Sequence, residues 1–121
     1  MVTRRVMPDG FEQVIEGFDT FAVEIRSVRY VVPQNTLSID LTLSLDEITR
    51  EEVWKLLSVF TEYFRTEQFV EFVKDIQEDT AEPFSVRLHL FNANNENTHI
   101  LETIDQEFNF RNWSADFRDN E

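Results

Sequence analysis

Cysteine is absent from this 121-residue chain, and that single gap removes disulfides, thiolate metal ligands and thiol nucleophiles together. Glycine is nearly absent too. Two Gly and three Pro leave little material for Gly-dependent loops, so the elements should be long. Neither a phosphate-cradling Gly-rich loop nor a nucleophile elbow occurs. No apolar run approaches the ~20 residues that span a bilayer, and no membrane partner is expected. Arg4 and Arg5 stand near the start without a hydrophobic segment behind them, so the sequence reads as that of an intracellular protein. Positive charge is scarce as well: eleven Lys and Arg face twenty-four Asp and Glu, for a formal net charge of −13. Such a field repels nucleic acid and anionic membrane and attracts basic partners, so direct nucleic-acid binding is not expected.

What is present is core material. Twelve Phe, two Trp and a 41% apolar fraction are enough for one folded domain over residues 1–121. The clearest segment runs from Thr36 to Phe64. Leu37, Ile39, Leu41, Leu43 and Leu45 occupy every second position, which gives a strand with one apolar side. From Thr49 the period changes, and Val53, Leu56, Leu57, Phe60 and Phe64 line one face of a helix. Thr49 and Glu52 have the spacing of a reciprocal capping box at its start.

Around this unit, residues 1–8 read as a flexible N-terminal arm. Asp9 to Glu16 reads as a short helix capped by Asp9, with a strand as the alternative. Phe21 to Val32 is a strand whose apolar parity jumps from Phe21, Val23 and Ile25 to Val28, Tyr30 and Val32, which predicts a bulge near Arg26–Ser27. Pro33-Gln34-Asn35 closes a hairpin onto the leucine strand. Between Asp46 and Pro83 the chain is one helix or two, Thr66 being able to cap the second. Phe84, Val86, Leu88 and Leu90 make a further strand. The asparagine-rich turn at 92–97 leads into a long strand with Ile100, Ile104, Phe108 and Phe110 on its apolar side. Residues 118–121 are a polar tail. The expected fold is α+β: two antiparallel β-hairpins flank a one- or two-helix insert, with the helix packed on a mostly antiparallel sheet or partial barrel.

Little in the chain points to chemistry. His89 and His99, one on each arm of the second hairpin, share the outer face if the loop is of odd length, but no third ligand completes a metal site. The asparagine loop has one acid and no Gly, short of a calcium loop. No carboxylate pair is singled out for acid–base work, and no catalytic, metal or cofactor residues are assigned. The acidic excess is concentrated in residues 46–82, which carry −7. There Glu67, Glu71 and Asp75 recur four apart and are continued by Glu78 and Asp79, a candidate surface for protein partners. Trp54 and Trp113 can serve as core-edge residues or as interface anchors, Trp113 being the candidate partner-binding residue of the two.

The order of elements resembles that of contractile-tail phage tube proteins. The likeness lies in Phe21-Ala22-Val23-Glu24-Ile25, in Leu37–Leu45 running into Val53–Phe64, in Phe84–Leu90 turning into Ile100–Phe110, and in Ser114–Glu121 at the terminal segment. Asn112 and Trp113-Ser114 stand where that family has Pro and Gly, and its closing strand has no counterpart. The resemblance therefore implies a shortened or accessory virion subunit, in the virion if phage-encoded and otherwise cytoplasmic. The leading expectation is a non-enzymatic structural or assembly protein, a phage tail or virion component that binds other protein subunits, copies of itself among them. The alternative is an acidic immunity or inhibitor protein seated on the basic face of a nuclease toxin or other nucleic-acid enzyme.

Overall fold

Leucine at every second position forms strand β3, Thr36–Leu43, at the middle of a six-stranded sheet in the order β1-β2-β3-β4-β5-β6. The computed structural model describes residues 2–78 and 82–112. In chain order the elements are β1 (Thr3–Arg5), α1 (Phe11–Glu16), β2 (Val23–Val31), β3, α2 (Arg50–Phe64), α3 (Glu67–Ile76), β4 (Ser85–Phe91), β5 (Asn97–Thr103) and β6 (Phe110–Asn112). Two antiparallel hairpins, β2–β3 and β4–β5, are joined by a parallel β3–β4 pair, and α2 and α3 form the crossover between them. The fold is α+β with a mostly antiparallel open sheet.

All four β3 residues of one parity, Leu37, Ile39, Leu41 and Leu43, are fully buried, as are Val86, Leu88 and Leu90 of β4. At about 1.5–3 kcal/mol per fully buried side chain, these two strands anchor the core. The helices cover this face. Val53, Leu56, Leu57, Phe60 and Phe64 are buried along α2, and Phe69 and Val73 along α3. Rings pack in a chain from Phe11 through Phe60, Phe64 and Phe69 to Phe84, with successive centroids 4.7–6.3 Å apart.

Local chemistry sets the boundaries. Thr49 accepts the Glu52 amide while the Glu52 carboxylate accepts the Thr49 amide, so the capping box starts α2 as the spacing predicts. Thr66 caps α3 by accepting the Phe69 amide, so the insert is two helices. The β2 bulge falls between Ile25 and Ser27 and restores Val28 and Tyr30 to the core side. Asn35 closes the first hairpin at φ 50°.

Three expectations are corrected. Thr3–Arg5 lies in the segment expected to be a flexible arm, yet it pairs with Arg29–Val31 as an edge strand. The N-cap of α1 is Gly10 at φ 81°, not Asp9: the left-handed turn there excludes a side-chain cap, and an added Cβ would lie 2.6 Å from Gln68. In β5 the buried residues are His99, Leu101 and Thr103, while Ile100 is half-exposed and Ile104 exposed. The loop is odd in length where Phe91 pairs with Asn97. Thr98 is then one residue too many, so Leu90 meets His99 and Leu88 meets Leu101. That extra residue inverts the strand. It also separates the two histidines, His99 facing the core and His89 the opposite side of the sheet. Strand β5 stops at Thr103. Phe108 and Phe110 reach the helices from the following loop and from β6.

Candidate functional site

The protein presents two broad charged surfaces of different character. On the outer side of α3, Glu67, Glu71 and Asp75 are all exposed, because Phe69, Phe72, Val73 and Ile76 take the inner side. The Thr66 cap fixes where the helix begins and hence which residues turn outward. Lys74 bridges Glu71 at 3.3 Å, and Glu78, just past the helix, bridges Arg4 at 3.4 Å. Four of the expected partner-binding residues are thus brought together on one acidic surface. Asp79 and Trp113 lie outside the described residues. Trp54 stands on α2 with 65% of its surface exposed, beside an open groove of about 550 Å³ between the Gly17–Phe21 loop and the helix.

The second surface is the side of the sheet away from the helices. The pairing register aligns Arg5, Arg29, Ser38, Arg87, Glu102 and Arg111 in one row across all six strands. The adjacent row holds Ser27, Asp40, His89 and Ile100. Asp40 is the acceptor at the centre. It takes the Ser27 hydroxyl at 3.3 Å, lies 2.9 Å from Nδ1 of His89, and stands 3.9 Å from Arg29. Arg87 reaches Glu102 at 3.2 Å, while its buried Nε has no hydrogen-bond partner among the described residues. Arg26, released by the bulge, stacks 4.0 Å over Phe91 and donates to Thr42 and to Asn95.

This arrangement can bind charge. Ser27 and His89 both bind the Asp40 carboxylate, whereas a hydroxyl nucleophile must lie against the imidazole that takes its proton. Among the described residues, no group of three His, Asp or Glu is placed to hold a metal ion, and no helix is long and apolar enough to cross a membrane.

Two perturbed groups lie elsewhere and serve the fold. Burial pushes the Tyr63 hydroxyl far above its ordinary range, with the Asp9 charge adding to it, and the hydroxyl donates to the Asp9 carbonyl at 2.6 Å. Asp105 is held below the usual carboxylate range, first by the Asn109 side-chain amide at 2.8 Å and then by the Asn109 and Glu107 backbone amides. It thereby shapes the turn in which Phe108 adopts φ 64°.

The arginine row is the part of the surface that sequence reasoning missed. Its signal is present for Arg29, between Val28 and Tyr30, and for Arg87, between Val86 and Leu88: polar residues at the off-positions of strands must share the outer face. Arg5 and Arg111 carry no such signal, because β1 and β6 are three residues long.

Compared with family models, with curated proteins and with solved structures, the chain finds no match in any of the three.

Proposed function

We propose that this protein is a non-enzymatic assembly protein that acts through protein–protein contacts made by its two charged faces. The observation that carries this reading is the state of the polar groups. Asp40 binds Ser27, His89 and Arg29, and Arg87 binds Glu102, so the polar groups on this side of the sheet are turned to one another. A face of this kind suits docking. The order of elements, similar to that of contractile-tail phage tube proteins, supports a virion as the setting.

The acidic row on α3 favours a second reading, an immunity or inhibitor protein that covers the basic active face of a nucleic-acid enzyme. One experiment separates the two. The tagged chain is expressed in its native cell, and the mass of the nuclease-treated complex is measured. An assembly protein elutes in a multi-subunit particle, whereas an inhibitor elutes as a one-to-one pair whose stability falls steeply with salt. A chain that stays monomeric in that extract overturns both.

A further inference from the structure

We propose that the outer side of α2 pairs with the same side of α2 in a second copy of this chain, antiparallel and centred on Ser58, each Trp54 ring seated on the other copy. The contact uses neither of the two charged faces and goes beyond the reading built on them.

Helical spacing defines the seam. Glu51, Trp54, Ser58, Thr61 and Arg65 recur at alternating steps of three and four, the interval that keeps one stripe turned toward a partner helix. Four of the five are exposed and Thr61 is half-buried, while Val53, Leu56, Phe60 and Phe64 take the core side. Open grooves of about 550 and 480 Å³ flank the helix, one beside the Gly17–Phe21 loop and one beside Asn109, so α2 stands clear of its neighbours. Among the described residues Trp54 is the most exposed of the large apolar side chains.

Charge order selects the occupant. Along the seam stand Glu51, Lys55, Ser58, Glu62 and Arg65, and reading this order backwards with each sign inverted returns the same order. An antiparallel second copy therefore sets Glu51 level with Arg65 and Lys55 level with Glu62, and the two-fold axis repeats both pairs. A parallel copy would oppose Glu51 to Glu51 and Arg65 to Arg65. Among the described residues these four side chains form no ion pair; Arg65 gives its Nε to the Glu107 carbonyl and acts on Asp105 through its field. Two acids and two bases make the seam neutral in a chain of −13, so a basic partner is drawn to α3 instead.

The knob also has a hole. In this register Trp54 lies level with Thr61 and Glu62 of the second copy, between its Ser58 and Arg65, four residues that frame one hole on a helix surface. Those four line the 480 Å³ groove together with Leu57, Asn109 and Trp54 itself. Ser58 at the crossing point is small enough for axes about 8–10 Å apart, and Thr61 and Glu62 offer acceptors to the indole N–H. From Glu51 to Arg65 the seam is about 21 Å long. Covering two indoles removes about 300–500 Å² from water, the small end of specific interfaces, so the dimer should be weak, forming at about 100 µM.

The test is sedimentation equilibrium of the purified chain from about 10 µM to about 1 mM, each variant being checked for native circular dichroism. Wild type is expected to be monomeric at the low end and dimeric at the high end. Trp54→Ala should weaken the dimer at least about tenfold, as should Lys55→Glu or Glu62→Lys alone, since each opposes like charges twice. Lys55→Glu and Glu62→Lys in one chain should return the association to within about threefold of wild type, a rescue that damage to the fold would not give. A chain still monomeric at about 1 mM overturns the proposal, as does a dimer indifferent to Trp54→Ala, or a charge swap without rescue. A monomer in which Trp54, read in a Trp113→Phe background, resists a soluble fluorescence quencher overturns it in favour of residues 113–121 of the same chain as the cover. A purified dimer that enters no larger particle in the cell extract upholds this contact and counts against the assembly reading.

Discussion

The two faces of the one sheet are held by different physics. On the helix side, Leu37, Ile39, Leu41, Val86, Leu88 and Leu90 have no exposed surface, and stability there comes from apolar area and close packing. On the open side, Asp40 and His89 keep 20% and 25% of their side-chain surface, and cohesion comes from hydrogen bonds and ion pairs that water can enter. A methyl group removed from the first face leaves a hole. A charge removed from the second leaves room for water. The same backbone ladder therefore supports one face that tolerates almost nothing and another that is free to specialise.

The sharpest way to break this contrast is at the aromatic centre. Phe64→Ala, which empties a site ringed by Phe60, Tyr63, Phe69 and Phe108, should cost about 3–5 kcal/mol in urea unfolding. Ile100→Ala on the open face should cost well under half of that. Next comes Asn92, a buried amide. It donates to the Asp46 carbonyl and the Glu96 carboxylate and accepts the Asn94 and Glu96 amides, so Asn92→Ala should lose about 1–3 kcal/mol. Asp40→Ala removes the acceptor shared by Ser27 and His89 on the open face. Because water can replace it, the loss should be about 1 kcal/mol or less, measured the same way. If it matches the Phe64 variant, the two faces do not differ as argued.

The smallest effect belongs to Asp105, fully exposed at its turn. Its pKa is depressed from 3.8, so its contribution is present above that value and disappears as pH falls through the lower, folded-state value. Asp105→Ala should flatten that part of the acid unfolding profile and leave stability near neutral pH almost unchanged in slope.

Residues whose partners are near in sequence were the legible ones. The Thr49–Glu52 box is a local event, and so is the parity jump at Arg26, since one strand must keep Ile25 and Val28 on the same side. Thr98 is different. Whether it is paired or extra depends on a strand across the turn, and Ile100 and Ile104 offered a false apolar rhythm that Leu101 alone could not outvote. Exposure of Glu67, Glu71 and Asp75 followed from helical period. The arginine row did not, because a line across six strands depends on five registers, one of them the parallel β3–β4 pairing, which no turn encodes.

Asn35 has a bearing on how that parallel register arises. Its side chain accepts from Tyr30 at 2.6 Å and donates to the Glu82 carbonyl at 2.8 Å, and its carbonyl receives the Ser85 amide. One amide thus latches the finished first hairpin to the returning end of a crossover nearly fifty residues away. The parallel β3–β4 seam, which no turn encodes, is thus pinned at one end by a single side chain.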